Sequence, residues 1–148
     1  MHRQPVGILL KQITDKIKVF ADASLKSRGL TLSQGRMLRF VSCHPDGVTQ
    51  KAIENHFQVS HPTVVGIIAR MEKNGYLECW TDSADKRNKM VRLTQKAQPV
   101  AREMEEEMEK QEAKLLQGLS EQQIENLYQA LYRILENVEN GNERKDTA

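Results

Sequence analysis

From Ser60 to Gly75 the apolar residues Val64, Ile67, Ile68 and Met71 fall at i, i+3, i+4 and i+7, one stripe of a helix that must face a core. The stripe turns Pro62, Val65, Gly66, Ala69 and Lys73 outward. Ser60 is expected to cap the first turn, Pro62 is tolerated there, and Gly75 closes the other end. The outward face is small and nearly uncharged, which suits close approach to another molecule.

The same period recurs on both sides. Pro5 to about Ser27 predicts a helix with Leu9 or Leu10, Ile13, Ile17, Phe20 and Leu25 on one stripe and Gly29 past its end. Thr31-Leu32-Ser33-Gln34 is a capping box opening a helix through Arg39, Phe40 and Val41 that ends before Pro45-Asp46-Gly47. Gly35 inside it costs about 1 kcal/mol against Ala, so a close neighbour is expected there. Val48 to Phe57 predicts a third helix, capped by Thr49, with Ala52, Ile53 and Phe57 inward and Gln58-Val59 turning into Ser60.

After Gly75 the period changes from 3.6 to 2. Tyr76 to Trp80 is β-prone, Asp82 to Asn88 is a polar turn, and Lys89-Met90-Val91-Arg92-Leu93 alternates as a returning strand. Two short helices joined by a tight turn and followed directly by a hairpin make a winged helix-turn-helix. The tip offers Lys86, Arg87 and Lys89, cations suited to phosphates or a minor groove.

The rest is helical again. Thr94 caps a long helix whose Ala97, Ala101, Met104, Met108, Gln111 and Leu115 form a packing seam, with a kink or a late start expected at Pro99. Ser120-Glu121-Gln122-Gln123 is a second capping box, opening a last helix with Ile124, Leu127, Leu131, Ile134, Leu135 and Val138 inward. The chain therefore divides into an N-terminal dimerisation helix (1–29), a winged helix-turn-helix (30–94), C-terminal dimerisation helices (95–139) and a polar tail (140–148) expected to be disordered. The outer helices exceed what a winged helix needs. Pairing with a second copy about a two-fold axis gives them a purpose and would set two recognition helices about 34 Å apart.

Charge sharpens this division. The net charge of the 148 residues is only +2, yet residues 1–27 carry +3, residues 28–96 carry +5 and residues 97–148 carry −6. A basic centre attracts phosphates, and an acidic end is better kept away from them. With 39% hydrophobic and 28% charged residues the chain is globular. The two cysteines and the lack of an apolar leader or span point to the cytoplasm, with no membrane partner.

The runs Leu30 to Gln34, Thr49 to Ile53, Ser60 to Val64, Glu72 to Leu77 and Asp85 to Thr94, with Asp85-x-Arg87 and then Leu93-Thr94 the most specific, resemble the MarR family of bacterial transcription regulators. The resemblance implies a mainly helical, homodimeric winged helix binding double-stranded DNA at a pseudo-palindromic operator, usually as a repressor released by a small-molecule effector or an oxidant. By position it assigns phosphate and base contacts to Ser60, His61, Pro62, Thr63, Val65, Gly66 and Arg70; the cations Lys73, Lys86 and Lys89, read from the residues themselves, are expected to face DNA as well. It makes Arg87 the minor-groove arginine, and Asp85 would hold Arg87 or shape the wing. Members often carry basic residues where this chain has Cys79 and Trp80, and many carry a longer polar side chain at Gly66. Specificity is then expected to rest on His61, Thr63, the Val65 methyls and DNA shape.

Other chemistry is thinly supported. No paired carboxylates, glycine-rich phosphate loop or Ser/Cys-His constellation stands out, which argues against an enzyme, and no cofactor is implied. Cys43 and Cys79 are candidate redox thiols or small core residues; His44, His56 and His61 lack metal-ligand spacing, so no metal is expected. Trp80 packs against the first helix or the core, or lines an effector pocket. Two other readings of the same fold are a protein-interaction module without operator binding and a metal- or thiol-responsive sensor.

Overall fold

The computed structural model describes residues 3–143. Two compact units divide the chain between Glu105 and Glu106. The first begins with α1 (Val6–Ser27), α2 (Leu32–Ser42), β1 (Val48–Thr49), α3 (Gln50–Phe57) and α4 (His61–Lys73). It continues through β2 (Leu77–Thr81), β3 (Lys89–Leu93) and the start of α5 (Ala97–Leu115). The second holds the rest of α5 and α6 (Glu121–Glu143).

Local chemistry sets the helix boundaries. Gln34 N–H donates to Thr31 Oγ1 at 3.2 Å while Thr31 N–H donates to Gln34 Oε1 at 3.0 Å, the reciprocal box that starts α2. Thr49 Oγ1 accepts from Ala52 N–H at 3.1 Å and starts α3. Ser60 departs from expectation: its hydroxyl makes no cap bond and pairs with the Thr63 hydroxyl at 2.8 Å. Pro62 has removed one of the two amides that a capping side chain can reach. At the far end of α4, Gly75 (φ 80°) donates to Glu72 and Tyr76 to Met71, a Schellman closure.

β1 is a strand that the periodicity missed. Val48 and Thr49 pair with Val91 and Met90, so Val48 belongs to a sheet rather than to the third helix. The sheet is antiparallel in the order β1-β3-β2, with Leu77 opposite Leu93 and Thr81 opposite Lys89. Residues 82–88 form the wing tip, folded by two turns in which Asp82 accepts from Ala84 N–H and Asp85 from Arg87 N–H.

The first unit's core joins every element. Leu25, Leu30, Met37, Leu38, Val41, Val48, Ile53, Val64, Ile68, Met71, Leu77, Val91 and Ala97 are buried. Burial of each large aliphatic contributes roughly 1.5–3 kcal/mol. The stripe read on α4 is this wall: Val64, Ile68 and Met71 are fully covered and Ile67 packs against them. Gly35 is buried because a Cβ there would lie 2.5 Å from Leu25 Cδ2 and 3.4 Å from Met104 Cε. α5 starts late, at Ala97, so Pro99 falls in its first turn. Thr94 Oγ1 accepts from Ala97 N–H at 3.2 Å and donates to the Gly75 carbonyl at 2.6 Å, tying α5 to the end of α4.

The stripe expected to be inward on the first helix is mostly uncovered. Leu25 is its only buried member, while Leu9, Ile13 and Phe20 are exposed. In the second unit none of the described side chains of α6 is buried, and Leu127, Leu131, Leu135 and Val138 are exposed. One chain supplies only one wall for these faces. The Ser120–Gln123 box opens α6 as expected, and Tyr128 donates to Glu112 Oε1 at 2.6 Å. The helix runs on to Glu143, past the expected start of the tail at residue 140, since Asn140 and Gly141 lower helix propensity without forbidding it. Residues 144–148 of that tail lie outside the described residues.

Candidate nucleic-acid interface

α3, α4 and the wing enclose an open groove of about 560 Å³ lined by Gln50, Lys51, Glu54, His61, Val65, Arg87, Asn88 and Lys89. Four residues singled out from the sequence meet there: His61 and Val65 from α4, Arg87 and Lys89 from the wing. Lys51 adds a fifth possible contact. Gln50, Lys51 and Glu54 were not picked out, because their share in the groove depends on how α3 crosses α4, and Asn88 was read only as part of the polar wing turn. Gln50 is the one buried polar side chain among the described residues, a distinction that only the structure reveals.

The remaining predicted residues distribute around this groove. Ser60, Pro62 and Thr63 stand exposed at the start of α4, and Lys73 at its end. Arg70 bends back along its own helix, with Nε donating to the Gly66 carbonyl at 3.1 Å. A Cβ at Gly66 would lie 3.4 Å from Arg70 Nη2, so the arginine covers the gap left by the glycine. The outer face is thus less bare than its sequence. Lys86 borders a second cavity of about 460 Å³ with Glu72, Cys79, Trp80 and Thr81, which shares Arg87, Asn88 and Lys89 with the groove.

Two acidic side chains shape this surface. Asp85 accepts from Arg87 Nε at 3.2 Å and from its backbone amide at 3.1 Å, and these bonds hold the Asp85 carboxyl below the usual carboxylate value. Glu54 accepts from His61 Nδ1, and from Gln50 Nε2 at 3.3 Å. The His61 bond is the main reason the Glu54 carboxyl is pulled below its ordinary 4.5, with Gln50 and Lys51 helping against desolvation.

Comparison with known proteins finds similar folds and a similar family. Residues 28–87, from the loop after α1 to the wing tip, match the model of the MarR family. SlyA is 27% identical, with 91% of this chain and 94% of that one covered and a TM-score of 0.77. MepR of S. aureus, solved as a DNA complex, is 25% identical over 91% of this chain and 99% of that one, with a TM-score of 0.80. The helix-turn-helix part of this chain, residues 28–87, is thus similar to the MarR family. FabT of Streptococcus pneumoniae, also solved with DNA, shares the fold at 20% identity and a TM-score of 0.83, covering 91% of this chain and 96% of that one.

The structure places the other candidate residues as follows. Cys43 and Cys79 are free thiols. Cys43 is exposed; Cys79 is half-buried beside Glu72, and burial followed by the Glu72 carboxylate pushes its thiol up to about 12. Trp80 is half-buried at the base of the wing, where it also lines the second cavity. Its ring lies over Gly47, whose Cβ would be 2.6 Å from Cη2, with the Arg92 guanidinium 4.8 Å from its centre. His44 and His56 both approach Phe40, His44 tilted against its ring at 4.8 Å and His56 stacked on it at 4.1 Å. Among the described residues no three His, Cys, Asp or Glu side chains cluster to hold a metal, and no helix is long and apolar enough to cross a membrane.

Proposed function

We propose that this chain is a MarR-family regulator that binds double-stranded DNA as a homodimer at a pseudo-palindromic operator, acting as a repressor that a small ligand releases. The observation that carries this reading is the groove in which Lys51, His61, Val65, Arg87 and Lys89 converge from α3, α4 and the wing. Its cations supply affinity for phosphates, and His61 and Val65 supply groups that can meet base edges and thymine methyls. Ser60, Pro62, Thr63, Gly66, Arg70, Lys73 and Lys86 extend the contact along α4 and the wing. The exposed apolar faces of α1 and α6 support pairing with a second copy, because such patches rarely face water. A small ligand is favoured over an oxidant acting at Cys79, whose thiol is held far from the reactive thiolate.

The test is selection of bound duplexes from a random library, followed by affinity measurements at several salt concentrations. The expected result is an inverted repeat with half-sites about one helical turn apart and an affinity that falls steeply with salt. No enriched site, with weak binding that disappears at physiological salt, would instead leave an interaction module of the same fold.

A further inference from the structure

Glu54 is the one acidic side chain lining the groove. A carboxylate facing phosphates is repelled, so its position calls for another role. Its side chain is only 11% exposed, whereas that of His61 is 67% exposed. Three donors turn toward it: His61 Nδ1 and Gln50 Nε2 toward Oε1, and Lys51 Nζ toward Oε2 at 3.9 Å. An ionised carboxylate can only accept. The His61 nitrogen facing it must therefore carry a hydrogen, and in a neutral ring the other nitrogen then has only a lone pair.

We propose that Glu54 is a positioning residue that fixes the tautomer of His61, with the hydrogen on Nδ1 and the lone pair on Nε2, so that His61 selects a base edge offering a donor. In the major groove those donors are the cytosine N4 and adenine N6 amino groups; guanine and thymine present acceptors at the corresponding edge. Gln50 Nε2 lies 3.3 Å from both Glu54 Oε1 and His61 Nδ1; its hydrogen goes to the carboxylate, because an Nδ1 that already donates to Glu54 has no lone pair to offer. The base preference rests on the operator reading above. The tautomer does not.

Two measurements on the full chain separate these parts. Nitrogen NMR of the imidazoles without DNA at about pH 8, above the ordinary histidine value of about 6.5, is assigned by the signal missing in H61A. The expected wild-type spectrum shows a protonated Nδ1 and a bare Nε2. E54A shifts His61 toward the Nε2-protonated form, and E54Q keeps the wild-type pattern because its amide oxygen still accepts. A wild-type His61 protonated on Nε2, or the same tautomer in E54A as in wild type, overturns the proposal.

Library selection then reads the consequence. Cytosine or adenine is expected at the position where H61A loses its preference, and E54A lowers that preference from about tenfold to below about threefold, the scale of one hydrogen bond. Guanine or thymine there overturns the proposal and leaves the operator reading intact. A wild-type chain that enriches no site removes the operator reading, and with it the proposed base preference, whatever the spectra show.

Discussion

Arg87 and Asp85 grip each other at the wing tip, Nε to Oδ1 at 3.2 Å and Nη2 to Oδ2 at 3.4 Å, although the arginine side chain is 91% exposed. An ion pair so exposed contributes little to stability, so its consequence is orientation. R87A is expected to weaken binding to the selected duplex by roughly tenfold to a hundredfold and to reduce the salt slope by about one. D85A keeps the cation but frees it. It should weaken the selected site less than R87A while strengthening binding to random duplex, because a negative charge has gone. Titration against both duplexes checks this, and an unchanged ratio of the two affinities in D85A would show that Asp85 does not aim the arginine.

The Glu54–His61 contact also makes a pH prediction. The carboxyl of Glu54 sits below its ordinary 4.5 in the folded chain, chiefly through the hydrogen bond from His61. A depressed acid contributes stability that is present above its unfolded value and lost as pH falls through the lower folded value. E54Q should therefore melt below wild type near neutral pH, with the gap closing as pH drops below about 4.5. Thermal unfolding across the acid range measures the gap. One that stays constant or widens in acid would mean that the charge of Glu54 does not stabilise the fold.

The two thiols should differ sharply in reactivity. Cys43 is exposed, with its thiol directed to the Arg39 carbonyl at 3.5 Å, while Cys79 is half-buried next to Glu72 with its thiol raised to about 12. Only the thiolate alkylates. Mass spectrometry after brief iodoacetamide treatment near pH 8 should find one adduct, on Cys43, and essentially none in C43S until denaturant is added. Equal labelling of both sites in the folded chain would contradict the environment described for Cys79.

How much of this was legible depended on how local each cause is. Thr31 with Gln34, Thr49 with Ala52, and Ser120 with Gln123 lie within one turn of each other, so the starts of α2, α3 and α6 could be read from the chain. The stripe on α4 was equally plain, because a core imposes a period. β1 was not: two residues carry no alternation, and Val48 becomes a strand only because Val91 lies beside it. Ser60 looked like a cap until Pro62 is counted among the amides it would serve. In the groove, Arg87 and Lys89 announced themselves as tip cations, but Gln50 and Glu54 looked like any polar helix surface. Their role comes from the packing of α3 on α4, which spacing along one helix does not encode. The apolar residues of α6 were read as inward on a rule that holds for a finished assembly and not for one chain alone.

Gly47 and Trp80 allow a stability test with its own control. Gly47 has a φ of 101°, and a Cβ there would lie 2.6 Å from Trp80 Cη2 and 3.0 Å from Cζ2. The indole is rigid and held on its sheet between the Gly47 turn and Arg92, so it cannot yield as the end of an aliphatic chain would. G47A combines backbone strain with overpacking and should cost about 2–4 kcal/mol. Gly29 also has a positive φ, of 68°, but nothing within 4 Å of its Cβ position. G29A therefore carries the backbone strain alone, about 1 kcal/mol. Trp80 is the only tryptophan, so its emission reports the contact directly. The native emission of G47A should shift as the ring is displaced, while that of G29A stays at the wild-type position. Equal losses of stability in the two variants, with unshifted emission in both, would mean that the close approach of Gly47 and Trp80 is not what demands a glycine there.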